Sequence, residues 1–381
     1  MPTSHLIFAD SVRDPDLFVA TGITIGDPFA YVETDGKRVI VTSELEADVA
    51  RRTSTATEVW TGSEFGSREL VKGGMSYHEV ELEIVRRVLE RLSVSDVVVP
   101  PSFPVELADF LRGHGVSVTA DRAGYELRRR VKDERALAGI RLAQRATEAA
   151  FARVVEVLGA SSPGGQGLLF GGETLTAEWM TDEIERVLRE HGAEGERPLV
   201  GNGPTGANVH ERGTGPIQPG ESIIVDIFPR HLKSRYHSDM TRTFCFGDAP
   251  EQLRHMHGVV YEALRVSEER IAAGVNGKVV WEAACDVIEG GGYRTTRGLA
   301  DGETLDEDFF HGLGHGVGVE VHEAPNLGLS GDDLLVGDIV TIEPGVYRKG
   351  FGGVRLEDIA VVRDGGCEVL TNFPYDLEVR P

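Results

Sequence analysis

Hydrophobic positions in the first 125 or so residues change period several times. LFVATGI (17–23), FAYVET (29–34) and RVIVTS (38–43) are short β-rich runs separated by Asp, Gly and Pro. EVELEIVRRVLERL (79–92) repeats apolar residues at helical spacing with charges opposite, and DVVVP (96–100) returns to strand. VELADFLRGHG (105–115) predicts a helix ending at glycine, and VSVTAD (116–121) a further strand. Strands alternating with helices predict an open α/β layer. Its histidines, His5, His78 and His114, stand apart from one another and read as ordinary surface residues.

Across 122–135 (DRAGYELRRRVKDER) the chain turns polar and highly charged, and a domain boundary is expected there, dividing residues 1–128 from 129–381. A long amphipathic helix should run from Asp133 to Leu158 and stop at Gly159, followed by a glycine-rich loop (161–174) and a second helix (176–192) ending on Gly192. From Pro198 the pattern becomes β-rich. A Pro219-Gly220 turn precedes a buried run, Ile223–Val225, that ends on Asp226, and in YHSDMTRTFCFG (236–247) Asp239 precedes Thr241-Arg242-Thr243. Two helices (251–274 and 279–292) lead to HGLGHGVGVEVHEAP (311–325), then DIVTIEPGVY (338–347) and GGVRLEDIAVVRDGG (352–366).

The segment from His311 to Pro325 has glycines at 312, 314, 316 and 318. Each costs a helix up to about 1 kcal/mol relative to alanine, so an extended chain is expected. His311 and His315 then share a face, and His322 starts on the other unless a bend intervenes. Alone, this stretch reads equally well as a glycine-rich turn with surface histidines. Asp226, Asp239, Glu343 and Glu357 change that reading. Each is flanked by aliphatic or β-branched residues, and an acid in such a strand is costly unless paired, hydrogen-bonded or bound to a cation. One shared cation site of four carboxylates and an imidazole accounts for all of them, and an oxygen-dominated shell suits Mn²⁺.

Composition narrows the partners. With 39 basic against 62 acidic residues the net charge is −23, and only six of the basic residues are lysines. Such a surface repels nucleic acid and anionic lipid, and no apolar run approaches the length of a membrane span. An acidic, lysine-poor surface suits a halophilic protein; loss of activity in molar KCl would count against that expectation. The N-terminus lacks the basic and apolar regions of a secretory signal, and Cys245, Cys285 and Cys367 are far apart, as expected of reduced thiols in the cytoplasm.

The ordered set Asp226, Asp239-x-Thr-Arg-Thr, His315 in HGLGHGVG, Glu343 in IEPG and Glu357 in RLED resembles the M24 metallopeptidases, over roughly residues 130–381. The resemblance implies an α+β pita-bread catalytic domain, and the α/β segment in front is similar to the N-terminal domain of the creatinase, prolidase and aminopeptidase P branch. It also implies two divalent metal ions, with Mn²⁺ favoured and Co²⁺ or Zn²⁺ as alternatives. Asp226 would chelate one, Asp239 and Glu357 would bridge both, and His315 and Glu343 would hold the second. A bridging hydroxide is the implied nucleophile, clamped by cations about 3.5–4 Å apart, with Glu343 as proton acceptor. His210 matches a histidine contacting the scissile amide, His322 one that stabilises the tetrahedral intermediate, and His311 and Arg355 match substrate-side and supporting positions. The implied substrate is a peptide with proline second, cut by an Xaa-Pro aminopeptidase or an Xaa-Pro dipeptidase, and the implied assembly is a homodimer. In one place the chain departs from the family pattern. Asp226 leads into Ile-Phe-Pro-Arg-His-Leu-Lys rather than a small residue or glycine, and the loop to Asp239 is longer than usual.

Other chemistries fit poorly. HGLGHGVG is not a dinucleotide-binding G-x-G-x-x-G, Gly277-Lys278 is followed by Val279 rather than Ser or Thr, and His322-Glu323 lacks the second histidine of H-E-x-x-H. Ser222 and Ser238 have no nucleophile-elbow context. A metal-independent creatinase-like hydrolase or a non-catalytic binding module of the same fold would have lost the ligand set, which this chain keeps.

Overall fold

The computed structural model describes residues 3–195, 197–300 and 302–381. The chain divides into two compact units, one through Arg129 and one from Arg130 onward.

The first unit is built on a six-stranded mixed sheet. Its strands lie in the order Glu58–Thr61, Lys37–Thr42, Phe29–Thr34, His5–Ala9, Asp96–Val99, Ser117–Ala120. Strand alternation sorts side chains to two faces. Leu6, Ala30, Val32, Val39 and Val41 pack with helices Tyr77–Arg91 and Val105–Gly113, while Ile7, Phe29, Tyr31 and Ile40 meet Leu17, Ala50 and Tyr125. The run 17–23 is not the strand its hydrophobicity suggests. Residues Pro15–Thr21 form a helix because Asp14 caps it, accepting from the Leu17 N–H at 2.7 Å. Pro15 opens the first turn, and Gly22 closes the last in the left-handed conformation at φ 73°.

The second unit has two α+β halves. In the first, helices Glu134–Gly159 and Ala177–Glu190 cover a sheet of Leu199–Asn202, Ile223–Ile227, Met240–Phe246 and Glu378–Val379. In the second, helices Glu251–Arg270 and Gly277–Gly290 cover a five-stranded sheet in the order Glu323–Leu327, Gly314–Gly316, Ile339–Ile342, Asp358–Arg363, Gly366–Val369, beside a hairpin of Gly345–Arg348 and Gly352–Arg355. Asp133 starts the long helix by accepting from the Ala136 N–H, as its sequence anticipates. The expected loop at 161–174 instead carries a small three-stranded sheet, turned at Gly171 and Gly172, both with positive φ. The two halves are stitched where Thr243 meets Arg355 and the Glu357 N–H donates to the Thr241 carbonyl. All three cysteines are free. Among the described residues no helix is long and apolar enough to cross a membrane.

Candidate metal centre

All five carboxylate and imidazole positions of the predicted site line one cavity of about 600 Å³, and His210, His311, His322 and Arg355 line it too. Asp226 lies in the strand Ile223–Ile227, directly opposite Thr241 of the neighbouring strand. Asp239 precedes that neighbouring strand by one residue. Glu343 follows the strand Ile339–Ile342 and is turned inward before Pro344, its N–H donating to the Leu313 carbonyl at 2.7 Å. Glu357 sits between Gly352–Arg355 and Asp358–Arg363.

Among the described residues, ligand atoms of Asp239, His315 and Glu357 all lie within 4.8 Å of one another. His315 Nε2 is 3.8 Å from Asp239 Oδ2 and 3.6 Å from Glu343 Oε1. His315 Nδ1 lies 3.1 Å from the Gly316 carbonyl, a contact that assigns its proton to Nδ1 and leaves the Nε2 lone pair facing the acids. Burial, helped by the nearby His322 ring, lowers its pKa to about 4, so it is neutral near pH 7, the form that binds metal.

The carboxylates move the other way. Burial and then the charges of Glu357, Asp226 and Glu343 push Asp239 well above its ordinary value, and burial with Glu343 and Asp226 does the same to Glu357. Burial pushes Glu343 up to about 8, with Asp226 adding to it against the pull of Arg355. Among the described residues the guanidinium of Arg355 faces this acid cluster. Arg355 ion-pairs with Asp226, and it stays charged despite its burial because Tyr347 and three carboxylates surround it.

These side chains fit divalent cations. Among the described residues Asp226 Oδ1 and Asp239 Oδ1 are buried without a hydrogen-bond partner, and the shared donors are carboxylate oxygens and one imidazole nitrogen. Asp239, His315 and Glu357 are, among the described residues, placed to hold a metal ion together.

Supporting contacts come from residues the sequence reading left without a role. Thr241 Oγ1 donates to Glu357 Oε2 at 2.7 Å and accepts from Arg355 Nε at 3.2 Å, so the triplet after Asp239 braces the opposite half. Arg242 reaches behind the site to the Glu357 carbonyl at 2.7 Å and to Asp358 at 2.8 Å. The Tyr347 hydroxyl lies 3.2 Å from Arg355 Nη1 and 3.0 Å from His311 Nε2, and burial pushes it up to about 12. Tyr347 is four residues past Glu343 at the end of the TIEPGVY run, the one sequence signal that could have found it.

The stretch 311–325 is strand at Gly314–Gly316 and again from Glu323 onward. Two of its glycines allow close approach to neighbouring backbone. A Cβ on Gly314 would collide with the Thr341 carbonyl, and one on Gly316 with the Ala324 carbonyl. A bend over 318–322 then brings the exposed His322 ring back, its centroid 4.3 Å from that of His315.

The chain is similar in sequence and fold to known proteins. Over 256 residues, 66% of this chain, the sequence is 33% identical to the probable dipeptidase PepE of Mycobacterium tuberculosis, and the match spans 61% of that relative's length. The crystal structure of dipeptidase PepE from Mycobacterium ulcerans, 26% identical, superposes with a TM-score of 0.74 over 100% of this chain and 94% of that one. An X-Pro aminopeptidase from Thermotoga maritima, 22% identical, shares the fold with a TM-score of 0.79 over 98% of this chain and 97% of its own. Residues 138–364, more than half of the chain, match metallopeptidase family M24, and with the creatinase-like α/β unit in front of a pita-bread unit this chain belongs to that family.

Proposed function

We propose that the chain is a metallo-exopeptidase that hydrolyses the Xaa-Pro bond at peptide N-termini, as an Xaa-Pro aminopeptidase with a dinuclear divalent centre. The observation that carries this reading is the convergence of Asp226, Asp239, His315, Glu343 and Glu357, from both halves of the second unit, on one cavity. Mn²⁺ suits the oxygen-rich donor set best, with Co²⁺ or Zn²⁺ compatible. When bound, the cations supply Lewis acidity and lower the pKa of water.

The protein's own groups do the rest. Glu343 takes the proton of the attacking water, since it borders the cavity beside His315. His322 stands over the same ligands and donates to the oxyanion of the tetrahedral intermediate, while the exposed His210 meets the scissile amide from the cavity mouth. Arg355 fixes Asp226 and, through Tyr347, orients His311 toward the substrate. An imide bond to proline has no N–H and a constrained φ, which favours a dedicated pocket over a general peptidase groove. The domain division at 128/129, a cytoplasmic location and a homodimer belong to the same reading, and sedimentation velocity checks the last.

A second reading, an Xaa-Pro dipeptidase, is supported by likeness to the Xaa-Pro dipeptidase of Lactobacillus helveticus, 34% identical over 186 residues. Incubating Ala-Pro beside Ala-Pro-Ala with Mn²⁺ separates the two. Cleavage of the tripeptide supports the aminopeptidase, cleavage of Ala-Pro alone supports the dipeptidase, and inertness of both overturns the proline assignment.

A further inference from the structure

Lys132 stands just before Asp133, the residue that caps the long helix Glu134–Gly159. Its side chain and that of Glu323 are 3% and 2% exposed, and its Nζ donates to Glu323 Oε1 across 191 residues of sequence. A lysine ammonium is seldom taken so far out of water, because its desolvation is costly unless a well-placed partner answers it. Glu323 borders the cavity and follows His322 directly in sequence, whereas Lys132 meets it from outside the lining.

The backbone around Lys132 is fixed beside the strand that leads to Glu343. The Lys132 N–H donates to the Gly337 carbonyl at 3.2 Å. Arg130 pairs with the fully buried Asp338 carboxylate through Nε at 3.0 Å and Nη2 at 2.6 Å, and Asp338 immediately precedes the strand Ile339–Ile342. Lys132 therefore projects from a rigid base. Its target is held as firmly. Glu323 starts the strand Glu323–Leu327 opposite Gly316, one residue past His315, where the register shifts. Its carboxylate fills the inside of the bend over 318–322, since a Cβ on Gly318 would collide with it. The Gly318 N–H donates to the Glu320 carbonyl at 3.0 Å, and the His237 N–H donates to the Gly318 carbonyl at 2.7 Å, so the rest of the bend is tied. Among the described residues Glu323 Oε2 is buried without a hydrogen-bond partner, and Lys132 supplies the charge that answers this carboxylate.

We propose that Lys132 is a positioning residue for the hydrolysis: by holding Glu323 inside the bend, it aims the His322 ring at the oxyanion. This rests on the exopeptidase reading above, in which His322 donates to that oxyanion. The His322 side chain is exposed, its ring centroid 4.3 Å from that of His315, so its direction is set by the backbone that carries it. Without the ammonium, the Glu323 carboxylate is left buried and unpaired, and it turns towards water or takes up a proton. Either change loosens the bend, and a shift of about 1 Å in a catalytic donor costs on the order of a hundred-fold in rate. Lys132 itself touches neither substrate nor cation. Its removal is therefore felt in the transition state, in kcat rather than in KM or metal affinity.

The test is a double-mutant cycle read as kcat, KM and Mn²⁺ titration on Ala-Pro and Ala-Pro-Ala. Lys132→Met with Glu323→Gln removes both charges at similar volume, so no lone buried charge remains. The pair is expected to lower kcat about ten-fold, with KM and the Mn²⁺ midpoint within about two-fold of wild type. His322→Ala alone should lower kcat about a hundred-fold or more. In that background the same pair should cost less than about two-fold, because the ring it aims is gone. Equal losses with and without His322 overturn the proposal, as does a wild-type kcat in the paired variant or in His322→Ala. A loss confined to KM or to Mn²⁺ affinity overturns it too. Should the paired variant lack the wild-type circular dichroism spectrum, Glu323→Gln alone, which keeps an oxygen for Lys132, replaces it. A loss of about three-fold is then expected, vanishing in the His322→Ala background, and a loss that persists there overturns the proposal. No turnover of any Xaa-Pro substrate by wild type overturns the exopeptidase reading instead.

Discussion

Glu83 and Glu343 carry the same side chain in opposite surroundings. Glu83, on the helix Tyr77–Arg91 of the first unit, accepts from Arg86 and Arg87, each at 2.8 Å, and the Arg86 hydrogen bond leads in pulling its carboxyl down to about 2. Glu343, in the cavity of the second unit, is pushed up to about 8, mainly by burial. Glu83 is paired by two guanidiniums, whereas the single guanidinium of Arg355 faces Asp226, Glu343 and Glu357 together. One arrangement completes its own charge balance within a helix. The other concentrates negative charge that the protein leaves largely unanswered, and such a concentration is what a divalent cation binds.

The contrast breaks most sharply at Asp239. Asp239→Ala is expected to abolish Mn²⁺ binding in calorimetry and to lower turnover by more than about a thousand-fold, a loss typical of removing a central catalytic group. Thr241→Val removes the hydroxyl that holds Glu357 without touching a ligand atom. It should weaken metal affinity or activity by about 10–100-fold, read from Mn²⁺ titrations, while the circular dichroism spectrum stays that of wild type. Gly314→Ala adds a methyl where the Thr341 carbonyl already sits. A destabilisation of about 1–3 kcal/mol is expected, seen as a lower urea midpoint.

The smallest effect is expected at the self-balanced end. Glu83→Gln should cost less than about 1 kcal/mol near neutral pH and leave turnover alone, since the surrounding ion pairs are partly exposed. The sign of its pH dependence follows from a depressed folded pKa. The stabilisation is complete above the ordinary value of 4.5 and is lost as pH falls towards about 2. The gap in urea midpoint between wild type and variant should therefore narrow from about pH 7 to about pH 3.5. A gap that widens on acidification contradicts the ion-pair account of Glu83.

The site's carboxylates were legible because each breaks a local rule. An Asp after Ile-Ile-Val or a Glu before Pro in Thr-Ile-Glu-Pro has no place in an apolar strand unless something binds it, and hydrophobic patterning makes the exception visible. Helices whose caps and periods agree, such as Tyr77–Arg91 and Glu134–Gly159, could be read for the same reason. Where hydrophobicity and capping disagree, the cap decided. LFVAT became a helix because Asp14, Pro15 and Gly22 define its ends. Tyr347, Thr241 and Arg242 were not legible as site components, because their contacts cross 8 to 116 residues of sequence and leave no local irregularity. The bend that returns His322 to His315 was hidden likewise, as it depends on how Gly316 meets Ala324.

The central claim is that the acids around Asp239 exist to bind divalent cations for peptide hydrolysis. Turnover of Ala-Pro and Ala-Pro-Ala, followed while Mn²⁺ is titrated into exhaustively chelated protein, tests it most directly. The account predicts no turnover without metal and a rise that saturates near about two equivalents per chain, the stoichiometry of a two-metal hydrolase. Full turnover in the chelated protein, or none at any Mn²⁺ concentration, would contradict it.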